Sequence, residues 1–173
     1  LNFSFHSSSE LNQGQAISKN AIEILLVEDS PTDRLIITEA FTKSRLKTEI
    51  HAVADGVEAL KYVKGEHPYT EMPRPDLILL DLNLPRMNGY EVLVTLKDSH
   101  DYRSIPIVVL SSSADTEDIK EAYSHYANCY ITKPVEFKGF VRAVRSIEQF
   151  WFKIGSLLPN STAAAALLIA GGN

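Results

Sequence analysis

Two runs in this chain are apolar almost without interruption: Leu77-Ile78-Leu79-Leu80, bounded by Asp76 and Asp81, and Ile105-Pro106-Ile107-Val108-Val109-Leu110, closed by Ser111. A strand with one face in water alternates apolar and polar residues. A strand covered on both faces need not, and that is the state of strands in a parallel sheet with helices above and below. The rest of the chain fits such a sheet. Ile22 to Val27, Glu49 to Val53 and Tyr130 to Thr132 are further short runs of branched and aromatic residues. Helical patterns lie between them. Leu35, Ile36, Ala40 and Phe41 share a face behind a Ser30 cap and Pro31, and Val57, Leu60 and Val63 share another. Gly89 to Lys97 is a third helix. A fourth, Asp115 to Tyr126, carries Ile119, Ala122, Tyr123 and Tyr126 on one side. The last runs from about Val135 to Ile154. Five strands alternating with five helices predict an α/β fold, a doubly wound five-stranded parallel sheet spanning about residues 21–155.

What remains is a Ser/Asn/Gln-rich tail over 1–20 and an Ala-rich tail over 156–173. The first has neither a basic start nor a long apolar run, so it does not read as a signal peptide. The apolar stretch 163–170 is shorter than the roughly 18 residues that a membrane span requires. With 17 basic and 22 acidic residues the net charge is −5, which argues against a nucleic-acid partner. One cysteine, Cys129, excludes a disulfide framework and fits a cytoplasmic location. The five histidines show no ligand spacing and are expected on the surface or in loops.

Ligands of an open α/β sheet bind outside the carboxyl ends of its strands, so the residues just after each run matter most. Glu28 and Asp29 follow the first, Asp81 the third, Ser111 closes the fourth, and Lys133-Pro134 follows the fifth. With strand order 2-1-3-4-5 these ends lie side by side. Three carboxylates then share a pocket with one hydroxyl and one ammonium. Carboxylates that close raise one another's pKa unless a counter-charge is present. Lys133 supplies one positive charge, and Mg²⁺ (or Mn²⁺) bound through carboxylate oxygens would supply two more. Asp81 would then be a positioned nucleophile, with the metal, Lys133 and Ser111 neutralising the oxygens of an incoming phosphoryl group. One acid at one strand end is ordinarily a cap or a turn residue. Matched residues at four strand ends are not.

Together, Glu28-Asp29, Asp81-Leu82-Asn83-Leu84-Pro85-Arg86-Met87-Asn88-Gly89, Ser111 and Lys133-Pro134 resemble the signature of two-component response regulator receiver domains. The resemblance implies a flavodoxin-like receiver fold with Asp81 as phosphoacceptor. It implies that Asp29, Asp81 and the backbone carbonyl of Asn83 ligate the metal directly, with Glu28 acting mainly through water. Ser111 and Lys133 would bind the phosphoryl group, Ser111 and Tyr130 would form the switch, and the Lys133–Pro134 bond would be cis. Three departures stand out. Glu28 replaces a common Asp, Ser111 a common Thr, and Tyr126-Ala127 a common Gly-Ala.

The loop His67 to Pro75, with Arg103-Ser104-Ile105-Pro106 and the aromatic end of the last helix, is similar to the small stand-alone response regulators of cyanobacterial phytochrome kinases. That likeness implies a cognate histidine kinase, a phytochrome among the candidates, and output through protein contacts. Phe137, Val141 and Val144 are expected in the core. Phe150, Trp151 and Phe152 cannot all be buried beyond the sheet, so they are expected, with Tyr123 and Tyr126, to form a homodimer interface. No separate enzyme activity is expected. A dehalogenase-type phosphatase needs an acid two residues after its nucleophile, where this chain has Asn83. A flavin carrier needs a phosphate cradle where it has two acids.

Overall fold

The computed structural model describes residues 21–154, with side chains as far as Trp151. Both tails, and the side chain of Phe152, lie outside the described residues. The elements alternate β1 (Ile22–Val27), α1 (Pro31–Thr42), β2 (Thr48–Val53), α2 (Gly56–Lys64), β3 (Leu77–Leu80), α3 (Gly89–Asp98), β4 (Ile107–Ser111), α4 (Thr116–Ser124), β5 (Cys129–Thr132) and α5 (Phe137–Ile147). The five strands form one sheet in the order β2-β1-β3-β4-β5, and every neighbouring pair is parallel.

The unbroken apolar runs are explained by which side each residue faces. Leu25, Val27, Ile78, Leu80, Ile107 and Val109 pack into a core shared with α2, α3 and Ala122 of α4. Their neighbours Ile24, Leu26, Leu77, Leu79, Val108 and Leu110 pack with Ile37, Ala40, Phe41, Phe140, Val144 and Ile147 of α1 and α5. Each fully buried Leu or Ile contributes about 1.5–3 kcal/mol relative to exposure, so the three central strands hold the layers together.

Several expectations need correction. On α1 the buried stripe is Ile37, Ala40 and Phe41, at steps of three and four. Leu35, some 200° around the helix from Ile37, is 70% exposed. Phe137 is 40% exposed although it shares a stripe with Phe140 and Val144. It is the first residue of α5, entered from the exposed pair Val135 and Glu136. Val144 is buried and Val141 half-buried. The last helix is not uniform. It widens after Ile147 into a π-helical segment, Glu148–Ile154, which resets the faces its aromatics present. His51 is not a loop residue. It lies on β2, half-buried, with Nε2 2.8 Å from Oε2 of Glu23. The Lys133–Pro134 bond is trans. The cis X-Pro bond among the described residues is His67–Pro68.

Candidate active site

Register aligns the strand ends. Val27 is level with Leu80, and Leu80 with Val109. The ladder continues one step further, with the Asp81 N–H donating to the Val27 carbonyl (3.0 Å) and the Lys133 N–H to the Ser111 carbonyl (2.7 Å). The first residues beyond β1 and β3 are therefore neighbours. Glu28, Asp81 and Ser111 are almost fully buried, whereas Asp29 is exposed. One carboxylate oxygen from each of Glu28, Asp29 and Asp81 lies within 4.8 Å of the others.

Lys133, only 11% exposed, reaches into this group. Its ammonium donates to Glu28 Oε2 (2.7 Å), Asp81 Oδ2 (2.8 Å) and Asp33 Oδ2 (2.9 Å). Burial would lower the Lys133 pKa, but hydrogen bonds to three carboxylates override it and hold the group above the ordinary lysine value. For Glu28 burial dominates. Its pKa is raised even though Lys133 opposes the shift. Four carboxylates and one ammonium leave the pocket net negative, and its converging oxygens are hard donors of the kind Mg²⁺ and Mn²⁺ prefer. The residues present fit a divalent cation.

Asp33 is absent from the sequence reading. It stands in the first turn of α1, where its N–H is capped by the Ser30 hydroxyl (3.2 Å). An acid there reads as a helix-dipole residue. The single available clue is its position four residues after Asp29 at the mouth of the pocket.

The turn after β3 is fixed from two sides. The Asn83 N–H donates to Asp81 Oδ1 (3.1 Å), and Asn83 itself is exposed. A Cβ on Gly89 would collide with the Asp81 carbonyl, so α3 can start against the end of β3 only with glycine there. Arg86 has φ 64°, a left-handed conformation unfavourable for a side chain. Its guanidinium bonds Asp55, the α2 cap, and Glu58 (3.2 Å). This ties the turn to α2.

On the other side, the Ser111 hydroxyl accepts from the Ser113 N–H (3.2 Å), and the Tyr130 hydroxyl donates to the Ser113 carbonyl (2.9 Å). Tyr130 thus lies half-buried, two rungs before Ser111 in the β4–β5 register and in contact with the α2/α3 core.

The predicted interface residues are not at this pocket. Tyr123 and Tyr126 are 49% and 73% exposed and line a cleft with Lys97, Arg103 and Asn128. Phe150, 61% exposed, meets the half-buried Trp151 edge-on at 4.6 Å. Those two line an apolar cleft of about 410 Å³ with Asn128, Cys129, Ile131 and Ile147. Asn128 borders both clefts.

Comparison with known proteins agrees with this geometry. The response regulator receiver domain profile matches residues 24–145. The chain is 40% identical over 134 residues to the response regulator Rcp1 of Synechocystis sp., covering 78% of this chain and 91% of that protein. Among solved structures, the phosphorylated cyanobacterial phytochrome response regulator RcpA superposes with a TM-score of 0.75 at 42% identity, covering 79% of this chain and 98% of that one. The Mn²⁺-bound form of Rcp1 superposes at 0.73 and 39% identity, with the same coverage. Among the described residues, no helix is long and apolar enough to cross a membrane.

Proposed function

The chain belongs to the response regulator receiver domain family, and from that membership we propose that it accepts a phosphoryl group from a sensor histidine kinase onto Asp81. The observation that carries this is the Lys133 ammonium bonded to Asp81 and Glu28, two of three carboxylates with converging oxygens. Glu28, Asp29, Asp81 and the Asn83 carbonyl would hold Mg²⁺ or Mn²⁺. When bound, the cation supplies two positive charges against the oxygens of the phosphoryl group.

The protein's own residues do the rest. An Asp81 carboxylate oxygen attacks phosphorus in line. The P–N bond of a phosphohistidine donor breaks, and the imidazole leaves with the bond's electron pair. Lys133 and the Ser111 hydroxyl donate to phosphoryl oxygens, stabilising charge in the transition state. In binding the phosphoryl group, Ser111 draws on Ser113, and the Tyr130 hydroxyl is bonded to that same residue. The switch would pass along this path. Such a chain is a cytoplasmic signalling protein, and its kinase is of the phytochrome type, as its likeness to the phytochrome response regulator RcpA suggests.

Output would run through protein contacts, including a homodimer formed by the last helix and last strand. The exposed Phe150, its partner Trp151 and the apolar cleft beside Cys129 and Ile131 support that face, with Tyr123 and Tyr126 at its margin. Trp151→Ala should shift the sedimentation profile toward monomer. An unchanged profile removes Trp151 from the interface.

Incubation of the full chain with Mg²⁺ and a small phosphodonor, followed by intact mass, tests the central reading. One added phosphoryl group is expected in the native protein and none in Asp81→Asn. A native protein that stays unmodified overturns the proposal.

A further inference from the structure

An ammonium group has three protons, and Lys133 gives all three to carboxylates: Glu28 beyond β1, Asp81 beyond β3 and Asp33 on α1. If the site works as proposed above, a bound cation competes with Lys133 for two of these three acceptors. Glu28 and Asp81 belong to the set whose oxygens converge within 4.8 Å, where a cation would draw on them. Asp81 must also offer an oxygen to phosphorus. Asp33 is not in that set. It is anchored separately, on a helix start held by the Ser30 hydroxyl and Pro31.

We propose that Asp33 is a positioning residue: it holds the Lys133 ammonium at the acceptor once a bound cation has drawn Glu28 and Asp81 away from it. The simpler role for Asp33 is an acid in a first helical turn, worth about 0.3–1 kcal/mol against the helix dipole. That role does not require the carboxylate to lie 2.9 Å from a lysine only 11% exposed. Two roles follow for one side chain. In the metal-free site Asp33 is one of three acceptors, and its loss leaves two. In the metal-loaded site it becomes the principal acceptor, and its loss frees the amine.

Acylation of Lys133 distinguishes these states, because a side chain pinned in the pocket by its carboxylate contacts is shielded from an amine-directed acylating reagent and one released from them is not. The full chain is labelled briefly with and without saturating Mg²⁺, and modification at Lys133 is read by peptide mass. The native protein should stay protected in both conditions. Asp33→Asn should stay protected without Mg²⁺ but label on the order of fivefold faster with it. Asp33→Glu should restore protection. Asp33→Ser serves if the Asn variant does not fold. Labelling that rises equally with and without Mg²⁺ means Asp33 merely supports the helix, and that overturns the inference. So does an Asp33→Asn profile matching the native one. The failure of the underlying reading looks different: the native chain itself would take no phosphoryl group from a small donor.

Discussion

At the scale of single residues, the half-buried ammoniums of Lys133 and Lys97 are opposites. Lys133 is surrounded by carboxylates and held charged. Lys97 donates to the carbonyls of Arg103 (3.2 Å) and Ile105 (2.9 Å) and to the Asn128 side-chain oxygen (2.9 Å), all neutral acceptors. Burial pushes its pKa down to about 8, from the ordinary 10.5. The sign follows from proton counting. Between pH 8 and about 10.5 the unfolded chain binds more protons at this residue than the folded one does, so its contribution to stability rises with pH. Lys97→Met lacks that term. The stability of the native protein relative to Lys97→Met, measured by urea unfolding at a series of pH values, should therefore rise from pH 8 upward. A relative stability that stays flat or falls there would show that Lys97 keeps its proton. The same contrast explains what was readable beforehand. Lys133 sits at a strand end, where ligand chemistry is expected. Lys97 looks like any lysine in a last helical turn, because its acceptors are backbone carbonyls of the following loop and a distant Asn128, and Asp33 like any acid in a first one, because its lysine lies 100 residues away.

At the scale of elements, the sheet was legible because a strand buried on both faces leaves no choice about which residues are apolar. Helices were less so. The α1 pattern admits a stripe through Leu35 or one through Ile37, and only packing against β1 and β3 selects the second. Likewise, no local rule announces that the last helix widens at Glu148. The turn from α4 into β5 was the opposite case, where a departure from the family pattern flagged a real cost. Tyr126 has φ 63°, and its N–H bonds the Tyr123 carbonyl (3.0 Å) while Ala127 bonds that of Ala122 (3.0 Å), a left-handed helix ending that glycine ordinarily fills. The ring is 73% exposed, and among the described residues its hydroxyl has no hydrogen-bond partner. A side chain in this conformation costs about 1–2 kcal/mol, against roughly 0.5–1 kcal/mol of extra chain entropy lost by glycine. Tyr126→Gly should therefore stabilise the isolated domain by about 0.5–1 kcal/mol in urea unfolding. Destabilisation would mean the ring has contacts that offset the strain.

At the scale of the whole molecule, the fold gathers charge that it cannot neutralise alone. The five parallel strands bring Glu28, Asp29 and Asp81 together, α1 adds Asp33, and Lys133 is the one ammonium bonded within the group among the described residues. The unfolded chain does not hold these groups together, so a divalent cation held in this pocket would favour the folded state. Selective binding stabilises by RT ln(1 + [M]/Kd), about 2.7 kcal/mol at a hundredfold excess over Kd. For a domain of this size that corresponds to a rise in Tm of several degrees. Mg²⁺ should therefore raise the melting temperature of the native protein, in a concentration-dependent way, beyond the effect of monovalent salt at equal ionic strength. Asp29→Asn is the informative variant. Asp29 is exposed and does not touch Lys133, so its loss should leave the metal-free melting temperature close to native while removing most of the Mg²⁺ response. A response that survives in Asp29→Asn would place the cation elsewhere, and one absent from the native protein would mean that the folded pocket does not hold the cation.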